Sequence, residues 1–380
     1  MARVPSYTKT TALVSRALKL APETLEASFV PATFDDLPQV VEMRRQVIGP
    51  AMVWDDAPYL GWRYHFGSQD RGRGEFWVVK LGNTILGMVG SERISVKYRG
   101  HTVDGLTVMD IAVRPVLEGV GLGVWMAMRL GEQFGCVLAI GSNANSRRLV
   151  SNVFVRLPDR RVLSHILEFE AILVRQLGHR ARWLTKLTSG VARQGMEFWR
   201  WSVKLTLKRS VRIEPLLRFD PSVNDLISRS QARGEISVGR NDQFLNWRLF
   251  DNPRSKYSVW AAFNGESMVG YIALRTSHRE DGDTSLVIAD ILVPAGDEGQ
   301  AVVKVLLCRA FDQAKALGCD RIAVVASHRD TERALTKLGF LRHRLDIKTL
   351  SVLCRDALLN EAISKGSPWH ITAANTDQDD

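Results

Sequence analysis

Cysteine is scarce in this chain: only Cys136, Cys308, Cys319 and Cys354 occur among 380 residues, and no two stand in C-x-x-C spacing. That excludes a thiolate zinc site and offers no disulfide framework, so no metal centre is expected and a reducing cytoplasm suits the protein. Long apolar runs are missing as well. None approaches the roughly 18 residues that a membrane-spanning helix needs. The first 25 residues are interrupted by Arg3, Lys9, Arg16 and Lys19, which argues against a secretory signal and reads as a flexible N-terminal tail. With 45% apolar residues and a mean hydropathy of -0.08, the chain has the composition of a globular protein. Its length suits two domains, each large enough for its own core.

What is present is more specific. Residues 110–123 read Asp-Ile-Ala-Val-Arg-Pro-Val-Leu-Glu-Gly-Val-Gly-Leu-Gly, an apolar strand that enters a glycine-rich turn and then a helix. Gly119, Gly121 and Gly123 permit backbone angles and close approaches that place main-chain N–H groups around an anion at the positive helix end. No Lys-Ser/Thr follows, which excludes a Walker loop, and alternating glycines do not make a dinucleotide fingerprint. A plain strand-to-helix turn is the alternative reading of the same residues.

The chain also repeats itself. Trp62-Arg63 recurs as Trp247-Arg248, Trp77 and Gly87 recur as Trp260 and Gly270, Asp110 as Asp290, and Gly135-Cys136 as Gly318-Cys319. Each copy predicts an opening helix, two strands joined at Gly82-Asn83 or Asn264-Gly265, a longer strand, a helix, a further strand and a second helix. The helix after the glycine turn is predicted from Leu122 to Phe134, and the next strand over Cys136–Ile140. In the second copy, Ile288–Val293, Ala301–Leu317 and Arg321–Ala326 take the same places. The copies differ at the turn, where the second has Ala295-Gly-Asp-Glu-Gly-Gln300. Two carboxylates there repel a phosphate, so the first copy is expected to be the anion-binding one.

Between the copies, residues 171–213 hold ten Lys/Arg and one acidic residue, Glu197, which accounts for nearly all of the net charge of +10. Trp183, Phe198, Trp199 and Trp201 are interleaved with the basic residues. Three readings stay open: connector helices packed on the domains, a surface for an anionic membrane, or a dock for an acidic acyl carrier protein. No nucleic-acid module motif accompanies it, so no specific nucleic acid is expected.

The strand and turn at 110–123 resemble the cofactor signature of the GNAT acyltransferase superfamily. Ile111, Ala112, Val113, Pro115, Gly119, Gly121 and Gly123 fit, while Glu118 stands where the family has Gln or Arg. Ala334-Leu-Thr-Lys-Leu-Gly-Phe340 resembles the family's closing motif. The Trp-Arg pairs, Asn252-Pro253 and the terminal Trp369-His-Ile-Thr372 resemble a group of bacterial tandem GNAT-like proteins associated with glycan biosynthesis.

This resemblance implies a mixed α/β fold of two tandem GNAT-like domains, each a central mixed sheet flanked by helices, joined by a basic helical connector. The segments are a tail at 1–25, a first domain at 26–165, the connector at 166–210, a second domain at 211–365 and an acidic tail at 366–380. It implies acetyl-CoA or another acyl-CoA as donor and a small-molecule or glycan amine as acceptor. Ile111, Ala112 and Val113 would bind the pantetheine and the acyl carbonyl, and the amides of Gly119, Val120, Gly121, Leu122, Gly123 and Val124 the pyrophosphate. Asn143 and Ser146 would also contact the pantetheine.

Asp110 is the candidate general base, although its repetition as Asp290 in the copy without the glycine turn suggests a structural hydrogen bond instead. The family's Tyr acid is replaced by Val150 and Leu335. His65 and His101 are further titratable candidates. The expected location is the cytoplasm or the inner face of the membrane. Rival readings are transfer from an acyl carrier protein, a Fem-type aminoacyl transferase, and a scaffold without catalysis.

Overall fold

A computed structural model describes residues 6–48, 57–66, 74–140, 153–158, 160–168, 211–231, 235–278, 282–326, 329–348 and 350–375. Asn143, Ser146, Val150 and residues 171–210 of the basic segment lie outside the described residues. The chain divides into two compact units, 1–159 with 348–367 and 160–347 with 368–380. No helix among the described residues is long and apolar enough to cross a membrane.

The first unit opens with two helices, α1 (Tyr7–Leu18) and α2 (Pro22–Ser28). The expected flexible tail is therefore ordered. Ser6 caps α1 by accepting from the Lys9 amide, and Val14 and Leu25 are buried in the core. After β1 (Phe29–Pro31) come α3 (Leu37–Ile48), α4 (Ala57–Arg63) and β2 (Tyr64–His65). Strands β3 (Gly74–Leu81), β4 (Thr84–Tyr98) and β5 (His101–Val113) then form an antiparallel meander. Arg99 and Gly100 both have positive φ at the second hairpin, as a two-residue turn matched to strand twist requires.

Helix α5 (Leu122–Gln133) crosses to β6 (Cys136–Ile140), parallel to β5. Its buried face carries Leu122, Trp125, Met126 and Leu130. Burial of each such side chain stabilises by about 1.5–3 kcal/mol. Trp125 satisfies its indole N–H by donating to Thr11 Oγ1 of α1 at 3.0 Å.

The sheet order is β1-β3-β4-β5-β6-β16-β7, with β2 beside β3, where β7 is Val155–Arg156 and β16 is Leu350–Cys354. Strand β8 (Arg160–Ile166) pairs instead in the second unit, antiparallel to β14 (Arg321–Ala326). The boundary expected at residue 165 thus falls before β8, which pairs in the sheet of the second unit, while β16 pairs in that of the first.

The second unit has sheet order β15-β8-β14-β13-β12-β11-β9. Here β9 is Val211–Leu216, β11 Ser258–Asn264, β12 Ser267–His278, β13 Thr284–Leu292 and β15 Leu341–Lys348. The first hairpin turns at Gly265-Glu266, one residue later than expected, because Asn264 still pairs with Ser267. Helices α6 (Val223–Ser230), α7 (Asp242–Leu249), α8 (Asp297–Ala316) and α9 (Arg329–Lys337) flank the sheet, while α10 (Ala357–Ser364) belongs to the first unit.

Of the expected acidic tail at 366–380, residues 366–375 are described. Its β17 (Trp369–His370) pairs in parallel with β10 (Ile236–Val238), and Ile371, Thr372 and Asn375 are buried.

Candidate cofactor site in the first unit

The parallel pair β5–β6 is in register only from Gly105–Val108 against Cys136–Ala139, yet β5 continues to Val113. Among the described residues, the edge of β5 that faces β6 is therefore open beyond Val108. A β-bulge sits at the mouth: Asp110 and Ile111 together oppose Val89, and Asp110 takes φ 53. Beyond the bulge, the Arg114 amide donates to the Leu86 carbonyl at 3.0 Å. This fixes the alternation. Ala112 shares the hydrogen-bonding ladder with Met88, while Ile111 and Val113 turn their amides and carbonyls toward the open side. Of the three strand residues expected to contact a pantetheine, Ile111 and Val113 thus direct their main chain away from β4. The Ala112 amide belongs to the ladder.

The chain then passes through a short 3-10 turn, Pro115–Leu117, to Glu118 and the glycines. Gly119 and Gly121 have φ 84 and 89, values that need glycine, and α5 starts at Leu122 with Gly121 as its N-cap. No side chain caps this end, and its first turn carries no acidic residue. The amides of Leu122, Gly123 and Val124 consequently point from the positive end of the helix dipole without a side-chain cap among the described residues. A Cβ on Gly119 would meet no atom within 4 Å. These features fit a pyrophosphate, with Glu118 the acidic residue beside it.

The equivalent place in the second unit has a different character. β13 and β14 also separate, since their register ends at Ile288–Val324 while β13 runs to Leu292. However, α8 begins with Asp297 and Glu298, whose charges oppose the dipole field that would attract an anion. Gly299 is needed for packing, because a Cβ there would collide with the Pro294 carbonyl. The chemistry of this turn does not fit a phosphate.

Asp110 is held from two sides. Its carboxylate lies 3.0 Å from Arg44 Nη1 of α3 and accepts from the Tyr64 hydroxyl of β2 at 2.5 Å. Burial opposes its charge, but the Arg44 and Arg63 guanidinium groups and the Tyr64 hydrogen bond prevail and hold its carboxyl below the usual range. Tyr64 is pushed well above the ordinary phenol range by burial and by the Asp110 charge. A carboxylate so stabilised is a weak proton acceptor, so the geometry gives Asp110 a bracing role rather than that of general base.

Asp290 confirms the logic with different partners: Arg240 Nη1 lies 2.8 Å from its Oδ2, and the Tyr271 hydroxyl donates to the same oxygen at 2.8 Å. Sequence reasoning found the two aspartates and missed Arg44, Tyr64, Arg240 and Tyr271, because these come from non-equivalent elements and share no spacing. Room for Tyr64 depends on Gly90, where a Cβ would stand 2.5 Å from the phenol oxygen.

The other candidates separate. His101 sits at the opposite end of β5, about 40 Å of strand from Val113, and its Nε2 pairs with Asp356 at 2.9 Å. It is remote from the opening. Leu335 is buried in the second core, so no acid stands there. Arg63 is 1% exposed; its Nη2 pairs with Glu92 at 3.0 Å and its Nη1 donates to Tyr59 at 2.6 Å. Trp62, Trp247 and Arg248 are buried as well. The Trp-Arg pairs are thus structural. No group of metal-ligating side chains occurs among the described residues.

Residues 223–340 match the profile of the acetyltransferase (GNAT) family, a segment within the second unit rather than the one holding the glycine turn. No curated protein matches the sequence. Among solved structures, a GCN5-related N-acetyltransferase from Anabaena variabilis is 12% identical, with a TM-score of 0.58 over 86% of this chain and 72% of that one. A GCN5-related N-acetyltransferase from Kribbella flavida is 14% identical, with a TM-score of 0.54 over 87% and 71%. The N-myristoyltransferase of Saccharomyces cerevisiae, solved with bound myristoyl-CoA and inhibitors, is 11% identical, with a TM-score of 0.53 over 86% and 80%. Residues 223–340 thus match the acetyltransferase (GNAT) family model, and the chain shares a GNAT-like mixed α/β fold with these solved structures.

Proposed function

We propose that this protein transfers an acyl group from coenzyme A to an amine, with the donor held in the first unit. The observation that carries this reading is the coincidence of an open β5–β6 sheet edge with an uncapped, acid-free helix end reached through Gly119 and Gly121. Coenzyme A supplies the activated thioester. In this arrangement, the amides of Gly119 and Leu122–Val124 bind phosphate, and those of Ile111 and Val113 line the acyl and pantetheine side. Asp110, fixed by Arg44 and Tyr64, keeps the bulge in shape, so the strand's main chain stays aimed at the opening. The proton of the acceptor amine leaves through water, since the described residues place no side-chain base at the opening.

The tandem arrangement is part of the same proposal, with the second copy retained for its fold after its turn became acidic. An amino sugar or a lipid-linked glycan precursor is the acceptor class that the tandem resemblance suggests. The acyl chain ranges from acetyl to long, because the similar proteins include both N-acetyltransferases and an N-myristoyltransferase.

Thermal shift with acetyl-CoA, a long-chain acyl-CoA and free CoA tests the reading, because a ligand that binds only the folded state raises its stability. Saturating ligand at about 100 times its Kd is expected to add about 2.7 kcal/mol. Gly121→Trp should abolish the shift and Gly296→Ala, at the matching turn of the second unit, should leave it intact. The absence of a shift with every CoA species would overturn the proposal. Loss of the shift only with Gly296→Ala would move the site to the second unit.

A further inference from the structure

Strands β6 and β16 run antiparallel with Cys136 directly opposite Cys354. One step along, the Arg355 amide donates to the Gly135 carbonyl at 2.8 Å, which makes that pair hydrogen-bonded. Cys136 and Cys354, next in the alternation, are then a non-hydrogen-bonded pair, the class in which Cα atoms stand about 4.5 Å apart and side chains approach most closely. That separation lies within the span of a disulfide. The Cys354 thiol donates to the Asp356 carbonyl at 3.6 Å. Cys136 is fully buried and Cys354 is partly exposed.

We infer that Cys136 and Cys354 are an oxidation site, a paired dithiol that a small-molecule disulfide converts into an intrachain cross-link tying β16 to β6. Cys354 is the attacking group. It is the accessible member, and the neighbouring Cys136 thiol lowers its pKa, while the Cys354 thiol and burial raise that of Cys136.

The Cys354 thiolate displaces one thiolate from the reagent and forms a mixed disulfide. Cys136 then loses its proton to solvent and attacks the Cys354 sulfur, which expels the second thiolate. Two protein thiols are oxidised, and one reagent disulfide is reduced to two thiols. The cross-link closes the chain between residues 136 and 354, and so fastens to the first sheet a strand supplied from the far end of the sequence. Cys308 and Cys319 are buried in the second unit and have no part in it.

The full-length chain, reduced and then exposed to oxidised glutathione, is digested after acid quenching and alkylation and read by mass spectrometry. Two of the four thiols should disappear, with the Cys136 peptide linked to the Cys354 peptide, and the oxidised protein should unfold at a higher temperature until dithiothreitol is added. Cys354→Ser should keep its three remaining thiols free. Cys136→Ala should stop at a glutathione adduct on Cys354. Four free thiols, a lasting glutathione adduct on Cys354 of the unmodified chain, or a link from Cys136 to Cys308 or Cys319 would each overturn the inference. None of these readouts depends on coenzyme A binding.

Discussion

Asp110 occupies a left-handed backbone position that non-glycine residues rarely adopt, and its two partners repay that cost. Arg44 is 2% exposed, so it keeps its charge away from water only because the Asp110 carboxylate lies 3.0 Å away. Asp110→Asn removes the charge and retains the shape. It is expected to destabilise the first unit by about 3 kcal/mol, the lower end for breaking a buried pair, because Asp110 itself is partly exposed. Chemical denaturation checks this, and a loss under about 1 kcal/mol would mean that Arg44 finds other compensation. The pair's contribution is present at neutral pH and is lost as the pH falls below the ordinary carboxylate range, since Asp110 titrates lower in the folded state. If the same variant retains coenzyme A binding and turnover while losing stability, the bracing role stands; a bell-shaped rate profile that loses its acidic limb would assign it catalysis instead.

At the scale of elements, the decisive contrast is between two helix ends that each follow a strand of their own sheet. Helix α5 begins behind glycines and without acids, whereas α8 begins with Asp297 and Glu298 and packs Gly299 against the Pro294 carbonyl. One end is free to receive an anion and the other serves the fold. Strand β8 shows how a borrowed element is fitted. Its His165 ring packs edge-on to Phe311 at 4.8 Å and near Phe340 at 5.3 Å, and burial lowers its pKa to about 4.

The unfolded chain takes up a proton near pH 6.5 that folded His165 refuses until about pH 4. Stability of the second unit should therefore be full above pH 6.5 and fall across that window as acid is added, by up to about 3 kcal/mol. Urea titrations at pH 7 and pH 4.5 should show a smaller difference in His165→Gln than in the parent chain. Equal differences would mean that His165 does not carry the slope.

At the scale of the molecule, each sheet contains a strand from a distant part of the sequence, β16 in the first and β8 in the second. A fragment ending at residue 159 lacks β16, so it exposes the paired edge of β6 along Cys136–Ile140. Open apolar edges aggregate, and such a fragment should be insoluble alone or lack a cooperative unfolding transition. Supply of a peptide spanning residues 348–367 should restore solubility; a cooperative fold without it would show that β16 is dispensable.

Much of the local structure is legible in the residues alone. The strand Cys136–Ile140, the strand Arg321–Ala326, helix α5 to within a residue, the positive-φ glycines at 119 and 121, and the acidic character of the second turn all follow from local propensity, periodicity and charge, which neighbouring residues carry among themselves. Strand partnership depends on contacts between residues far apart in the chain, and no local pattern records it. Only the tertiary structure therefore decided that α1 packs on α5, that β16 pairs in the first sheet and β8 in the second, and that Arg44 and Tyr64 close on Asp110. It also brought together Cys136 and Cys354, two of the few cysteines in a chain that offered no disulfide pattern.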